Sequence, residues 1–483
     1  MERFIIILLI PILSWSQTEP VDALHKNPPR VWALTHAMVH TEPGSFIKDG
    51  IIIIRDGQIE KVGRYIQLPN DAFEIDLEGA HVYAGFIESW IEVKKEEPPK
   101  SPRDHWSSKV RPEYRAVDDV LFKAKDLIQF RSLGFTMAHI IPEKGIFRGQ
   151  SGIVTLSDPP QTVRSSIAQI MDFKYGGWGE REYPSSLLGV IAHIRQTFID
   201  AEWYGKAQQI IEKYPDENEP IPSNISFESL DIARQLDIPF IFLTRDEHFA
   251  HRALNITKEF KLTPWLLGSG YEYRRLEFFK EQKPFFIFPL EFPAKPKVTN
   301  PYIGLQYSTE QLKHWDLAPD NLKQVNNAGL DFALTTHGLK KRSQFRTNLQ
   351  RIIDRGLPKD LVLAALTTQP AEAMGMEKSL GKVAPGFMAN LTIVDGDYFD
   401  PRSRVVSVWI SGKEFYIAPR HMSKFEGQWS LKFHGSAYDL EFISSAKGKK
   451  GAPQGPPKIH DNRGKLSGTI KAGNKKIKIQ NLD

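Results

Sequence analysis

Arg148 and Gln150 lie two residues apart in a glycine-rich segment, Gly145-Ile-Phe-Arg-Gly-Gln-Ser-Gly152, and together could bind a carboxylate. A guanidinium presents paired N–H donors that match the two oxygens of a carboxylate, and an amide adds further donors. The same two side chains could instead lock the loop by hydrogen bonds to the rim of the fold. The sequence leaves both interpretations open.

A second candidate pair is His248 and His251, which are spaced i, i+3 on a predicted helix. Such a pair could ligate a metal, although histidines at this spacing more often lie on a solvated helix face, and we favour that interpretation. Thiolate and disulfide chemistry are excluded because the chain has no cysteine. The sequence also carries no Ser-His-Asp or phosphate-loop signature.

Strand-like and helix-like patterns alternate along the middle of the chain. Apolar runs predict buried strands at 135–141, 239–244, 264–267, 284–288 and 331–336. Helical faces are indicated by Leu187, Ile191, Ile194 and Phe198, by Val120, Ala124, Leu127 and Phe130, and less cleanly by Leu361, Ala364 and Leu366. Continuous apolar strands are typical of parallel sheets covered on both faces. Residues 81–379 are therefore predicted to form a (β/α)8 barrel.

Two β-rich stretches flank this region. The run Ile51–Ile54 is followed by Asp56-Gly57 and another apolar run, which is a strong hairpin signal, and a similar rhythm recurs over 391–416. The predicted fold class is therefore α/β, with the barrel flanked by a small composite β-sandwich built from residues 30–80 and 380–417. Residues 421–483 are predicted to be a basic, β-rich C-terminal extension with a linker, and its last strand could pair with another chain.

Both termini carry signals about location. A short polar start, the apolar run Phe4–Leu13 and small residues around Ser16 predict a signal peptide at 1–16 and export to a periplasm or the exterior, with an uncleaved anchor as the alternative. Residues 444–483 hold ten basic and two acidic residues, so this tail has a net charge of +8. The whole chain has a net charge of +5, so the rest of the chain carries −3. This distribution favours a solvated or membrane-facing extension over nucleic-acid binding.

Three stretches resemble the metal-dependent amidohydrolase superfamily, in its imidazolonepropionase-like branch. Residues 82–92 resemble the family's first barrel strand, 331–338 its eighth strand, and 364–391 its C-terminal signature. Residues 145–152 and 183–198 are similar to the first half of large exported bacterial proteins with two such halves, in which the first half tends to lack metal ligands. The resemblance covers roughly residues 30–417 and implies a barrel whose strand ends hold a water-activating metal.

The chain departs from this family at the metal positions. Trp90 and Glu92 stand where the resemblance places a His-x-His pair, and His337 stands where it places the metal-linked Asp. The positions on the fifth and sixth strands, near Thr244 and Ser269, offer no histidine. An indole N–H is a donor only and cannot ligate a cation. We therefore expect no metal and no other cofactor.

Two interpretations of the remaining side chains stay open. In the first, Glu92 and His337 form an ion pair that fills the space left by the metal, and Trp90 plugs the cavity or stacks on a ligand. In the second, Glu92, His139 and His337 form an altered site for zinc or another divalent metal, although two or three such ligands are few for zinc. The candidate catalytic residues are thus His337 and Glu92, and the candidate substrate-binding residues are Trp90, Arg148, Gln150 and His139.

These observations predict an amidohydrolase-family protein of the cell envelope with a degenerate metal site. It would act as a structural or binding companion of an active paralogue encoded separately. The alternative is an active hydrolase of non-peptide C–N bonds, acting on cyclic amides or N-acyl compounds through an altered metal site. A third hypothesis is a binding module that takes a small molecule at the barrel mouth. No nucleic-acid partner is expected.

Overall fold

The computed structural model describes residues 30–94, 101–176, 183–298 and 300–418, together with four strands within 427–479. The predicted signal peptide at 1–16 and the linker within the C-terminal extension lie outside the described residues. The described chain has a mixed α/β architecture.

The strands fall into four hydrogen-bonded sheets. The N-terminal strands are β1 Val31–Glu42, β2 Ser45–Arg55, β3 Gln58–Gly63, β4 Phe73–Asp76 and β5 His81–Ala84. The middle strands are β6 Phe86–Val93, β7 Phe135–Pro142, β8 Phe147–Gln150, β9 Gly152–Thr155, β10 Thr162–Arg164, β11 Gln169–Asp172, β12 Phe240–Leu243, β13 Pro264–Leu267, β14 Phe285–Pro289 and β15 Phe332–Thr335. The C-terminal strands are β16 Leu391–Val394, β17 Val405–Ile410, β18 Lys413–Tyr416, β19 Gly427–Phe433, β20 Ser436–Ser444, β21 Leu466–Ala472 and β22 Lys475–Ile479.

Helices connect and cover the middle strands. They are α1 Ala124–Ser132, α2 Leu187–Lys213, α3 Ile225–Gln235, α4 Glu247–Phe260, α5 Leu276–Gln282, α6 Pro301–Gly304, α7 Thr309–Leu317, α8 Asn321–Asn327, α9 Gln344–Asp354, α10 Lys359–Leu366 and α11 Thr368–Ala373. Three short 3-10 turns lie at Ala116–Asp119, Glu272–Arg274 and Ala318–Asp320. Among the helices of the described chain, none has both the length and the apolarity needed to cross a lipid bilayer.

One sheet brings the two ends of the barrel-like region together. Its order is β18-β17-β16-β5-β1-β2-β3, with β4 also paired to β1. The antiparallel pairing of β16 with β5 joins residues more than 300 positions apart in sequence. The predicted hairpin is confirmed, because Arg55 pairs with Gln58 across the turn, and Asp56 and Gly57 both have positive φ angles. The four strands β19 to β22 form a separate antiparallel sheet.

Two further sheets carry the parallel strands that position the candidate site. In one, β6 and β7 are parallel, with β9 and β10 added at the edge of β7. In the other, β11 to β15 are consecutive parallel neighbours, and β8 pairs with β11 antiparallel. The predicted strands in 135–141 and 239–336 are confirmed as β7 and β12 to β15. Backbone ladders give two separate sheets, so the closed barrel stays a prediction.

Alternate residues of these parallel strands form a packed apolar interior. Successive strand residues point to opposite faces of a sheet, so one set of alternate positions packs together. The shared cluster includes Ile87, Trp90, Met137, Ile141, Ile170, Ile241, Trp265, Leu267 and Ile287. The opposite faces belong to a larger cluster that includes helical residues of α1 to α4. Both faces of the parallel strands are therefore buried, as the continuous apolar runs predicted.

Candidate functional site

Arg148 is the centre of a charged cluster at the ends of the parallel strands. Its Nη1 donates to the Glu92 carboxylate at 2.9 Å, and its Nη2 donates to the Asp172 carboxylate at 2.6 Å. The side chains of Arg148 and Asp172 are 7% and 6% exposed, whereas that of Glu92 is 29% exposed. The guanidinium thus bridges β6 and β11, which belong to different sheets. These contacts favour the loop-locking interpretation of Arg148.

Asp172 is a site residue that the sequence analysis missed. It is the last residue of β11, which has the sequence Gln-Ile-Met-Asp, and it lies 4.0 Å from a guanidinium nitrogen of the exposed Arg245. Two apolar residues are too short a run to predict a buried strand. The one available signal was an acidic residue between the apolar residues Met171 and Phe173, which is typical of a strand end that carries a functional carboxylate.

His337 follows β15 and is half-buried beside this cluster. Its ring meets Trp90 edge-on, with the centroids 5.9 Å apart. Burial lowers the pKa of His337, the Glu92 carboxylate opposes this shift, and the Arg148 guanidinium adds to it. The imidazole is therefore neutral near pH 7. The interpretation of Glu92 and His337 as an ion pair is revised, because the Glu92 carboxylate accepts its hydrogen bond from the permanently charged Arg148 guanidinium.

His139 is fully buried within β7 and is engaged at both ring nitrogens. Its Nδ1 lies 3.1 Å from the Ser89 carbonyl oxygen, and its Nε2 lies 2.7 Å from the Ser151 hydroxyl. The carbonyl can only accept, so Nδ1 carries the proton and Nε2 accepts from the hydroxyl. Burial lowers the pKa of His139 to about 4. The ring is therefore a neutral structural group, and no nitrogen is left for a ligand.

The other candidate side chains occupy different surroundings. Trp90 is buried in the apolar interior, and its indole Nε1 has no hydrogen-bond partner. Gln150 points away from the strand ends, where its amide donates to the Ser229 hydroxyl of α3 at 3.1 Å. His248 and His251 lie on the exposed face of α4, in agreement with the solvated interpretation. The structure thus brings Trp90, Glu92, Arg148 and His337 together and separates Gln150 from them.

The residues at the strand ends do not fit the metal that such a fold implies. Within the ranges the structure describes, no three His, Asp or Glu side chains converge as a metal site requires. Glu92 and Asp172 share a guanidinium, which is always charged and has no acceptor. Both nitrogens of His139 are used, and the Trp90 indole can only donate. A cation placed here would have to compete with Arg148 for its carboxylate ligands.

Two grooves open at this end of the parallel strands. One has a volume of about 750 Å³ and is lined by Trp90, Glu92, His337 and basic residues after β15, among them Lys340 and Lys341. The other, of about 700 Å³, includes Glu291 and shares Lys340 with the first. These volumes are typical of small-molecule pockets. The arrangement could hold a small polar ligand.

Comparisons with known proteins show a family resemblance in the C-terminal part of the chain. A model of the amidohydrolase family matches residues 320–415, a segment that includes α8 and the strands β15, β16 and β17. Amidohydrolase tasK of Hapsidospora irregularis is 39% identical over 69 residues, which are 14% of this chain and 7% of that protein's length. Residues 320–415 of this chain are thus similar to the amidohydrolase family.

Solved structures agree with this assignment at the level of the fold. An amidohydrolase from Thermotoga maritima has a TM-score of 0.65 and 22% identity, covering 80% of this chain and 99% of its own. A Bifidobacterium longum protein described as a prolidase has a TM-score of 0.51 and 16% identity, covering 82% and 97%. The predicted resemblance to the amidohydrolase family is confirmed over residues 320–415, and the solved structures show the same fold. The family match contains the predicted C-terminal signature, whereas the substituted positions on β6 lie outside it.

Proposed function

We propose that this amidohydrolase-superfamily chain does not hydrolyse substrates and serves as a structural or binding companion of an active paralogue. The observation that carries the proposal is the Arg148 guanidinium held between Glu92 and Asp172. In this position a fixed protein cation neutralises the carboxylates that would otherwise attract a metal. Trp90 fills the space beneath them with an apolar ring. The fold is thus retained, while Arg148 and Trp90 occupy the place of the metal ion that would polarise a substrate carbonyl.

The proposal includes the architecture and location inferred from sequence. The two central sheets are the parts of one (β/α)8 barrel over residues 81–379, and the end sheet belongs to a flanking β-sandwich. Support comes from the five consecutive parallel strands β11 to β15 and from the pairing of β16 with β5. Residues 1–16 direct export, which places the protein in the cell envelope, and the basic extension faces solvent or a membrane surface.

The alternative function is hydrolysis of non-peptide C–N bonds through an altered metal site at Glu92, His139 and His337. The buried hydrogen bonds of His139 argue against it, since ligation would require breaking one of them. Breaking a buried hydrogen bond leaves a polar group unsatisfied at a cost of about 1–3 kcal/mol. The non-hydrolytic proposal needs no such rearrangement.

A turnover assay separates the two functions. The purified chain would be incubated with N-acyl amino acids, proline dipeptides and cyclic amides, with zinc, manganese or iron(II) added, and the products followed by mass spectrometry. We expect no turnover above a protein-free control. Turnover that is lost in His337→Ala and kept in His248→Ala, a matched change on the exposed face of α4, would establish the altered-site hydrolase instead.

A further inference from the structure

The long helix α2 exposes an apolar stripe to solvent. The exposed fractions of its large apolar residues are 79% for Leu188, 51% for Ile199, 61% for Trp203 and 53% for Ile210, with 44% for the capping residue Tyr214. Ala192 is also exposed on this helix. The opposite face of α2, which includes Phe198 and Ala201, is buried in the core. A helix that is apolar on both faces indicates that the outer face is covered by a partner.

The stripe is symmetric about the buried residue Ala201. Leu188 and Tyr214 lie thirteen residues on either side of it, Ala192 and Ile210 nine residues, and Ile199 and Trp203 two residues. At 3.6 residues per turn, all six positions point within about 40° of the direction opposite Ala201. A stripe that is symmetric about its midpoint presents the same surface when the helix is reversed. In a two-fold interface residue i of each copy meets residue j of the other, so an antiparallel pair of this helix places apolar positions opposite apolar positions.

We propose that the α2 stripe pairs antiparallel with the α2 stripe of a second copy of this chain, about a two-fold axis beside residues 199–203. In this pairing Leu188 meets Tyr214 of the partner subunit, Ala192 meets the partner's Ile210, and Ile199 meets the partner's Trp203. A 27-residue helix is on the order of 40 Å long, so the contact extends well beyond a single turn. Trp203 is near the centre, where aromatic anchors contribute most to binding.

Charges lie along and beside the stripe. Lys206 lies within it and Arg195 and Lys213 lie beside it, and Arg195 and Lys206 form ion pairs within the subunit, with Glu259 and Glu202. In a pair of helices reversed about Ala201, Arg195 lies opposite the partner's Ala207, and Lys206 lies opposite the partner's Gln196. Neither cation faces a like charge. The acidic residues Asp200 and Glu202, which flank Ala201, do face each other in this pairing, and the Glu202 carboxylate is paired with Lys206 inside its own subunit. The exposed ring of Trp106, which contacts His193 of α2, extends the apolar surface near the first turns.

Engineered disulfides test the geometry directly, because the natural chain has no cysteine. Ala192→Cys and Ile210→Cys chains would be prepared separately, mixed and oxidised. The proposal predicts that the mixture forms a covalent heterodimer, whereas each variant alone stays uncrosslinked. In the antiparallel pair, two copies of residue 192 are about 27 Å apart, which is far beyond the reach of a disulfide. Crosslinks between identical variants and none in the mixture would overturn the antiparallel assignment.

The molecular mass of the protein in solution tests whether the α2 stripe causes two copies of the chain to associate. Sedimentation of the full chain over a dilution series should show a reversible monomer–dimer equilibrium. Trp203→Glu should raise the dimer dissociation constant roughly 30-fold or more, as expected for a central aromatic anchor. The matched control is Leu121→Glu, at an exposed leucine outside α2, which should leave the constant unchanged. A chain that stays monomeric at every concentration, or a dimer insensitive to Trp203→Glu, would overturn the proposal.

Discussion

At the scale of single residues, Arg148 determines what the strand ends can do. A buried guanidinium needs carboxylate partners, and Glu92 and Asp172 supply them from two different strands. Once paired, these carboxylates are poor ligands for a cation, whereas the buried Arg148 Nε–H has no hydrogen-bond partner in the described part of the chain. The side chain that looked like a ligand contact in the sequence is therefore a structural bridge in the fold.

Replacing Arg148 should destabilise the protein strongly. Arg148→Met leaves the buried Asp172 carboxylate without its hydrogen-bonded partner, which we expect to lower the free energy of unfolding by about 3–5 kcal/mol. Urea unfolding followed by circular dichroism measures the change. The matched control is Arg245→Met, whose guanidinium is exposed and 4.0 Å from the same Asp172, with an expected effect below about 1 kcal/mol. Equal effects of the two substitutions would refute the bridging role.

At the scale of elements, a buried carboxyl group connects the two central sheets. Glu88 of β6 accepts hydrogen bonds from the Thr335 hydroxyl and the Thr336 backbone N–H at the end of β15. It also accepts from the Trp90 backbone N–H within its own strand. Burial raises the pKa of Glu88 to about 7, although these hydrogen bonds oppose the shift. The strength of this contact between β6 and β15 should therefore change with the protonation of Glu88.

The stability of this contact should depend on pH in a defined direction. The pKa of Glu88 is 4.5 in the unfolded chain and about 7 in the folded protein. The stabilisation that Glu88 contributes to folding is therefore fully present below pH 4.5 and is lost as the pH rises through 7. The stability of the wild type relative to Glu88→Gln, a neutral analogue, should fall by about 3 kcal/mol between pH 4.5 and 8. Urea unfolding of both proteins across this range gives the difference. Parallel stability profiles would show that Glu88 does not titrate as described.

The elements differ in how far the sequence could predict them. Strands β7 and β12 to β15 were predictable because each is a run of apolar and β-branched residues between turn signals. Strand β11 was not, since only Ile170 and Met171 are apolar within its four residues. The partners of Arg148 were also beyond the sequence, because Glu92 and Asp172 lie 56 and 24 residues away from it. Local pattern specifies elements, whereas the pairing of charges depends on the tertiary fold.

At the scale of the whole molecule, the chain combines an amidohydrolase-like fold with different side chains at the strand ends. The sequence recognised the superfamily through its C-terminal signature, and the family match covers that same part. The substituted positions Trp90, Glu92 and His337 could be identified from sequence as departures from the metal pattern. What replaces the pattern, an apolar plug and an arginine bridge, could be described only from the structure. Both observations support the proposal that the metal site is degenerate.

The content of bound metal tests this account most directly. The full chain would be purified without chelators, incubated with excess zinc, manganese or iron(II), desalted and measured by inductively coupled plasma mass spectrometry. A metal-dependent amidohydrolase treated in parallel provides the positive control. The account predicts far less than one metal ion per chain, because the strand-end carboxylates are held by Arg148. One tightly held ion per chain, lost in Glu92→Ala and retained in Glu277→Ala on exposed α5, would contradict it.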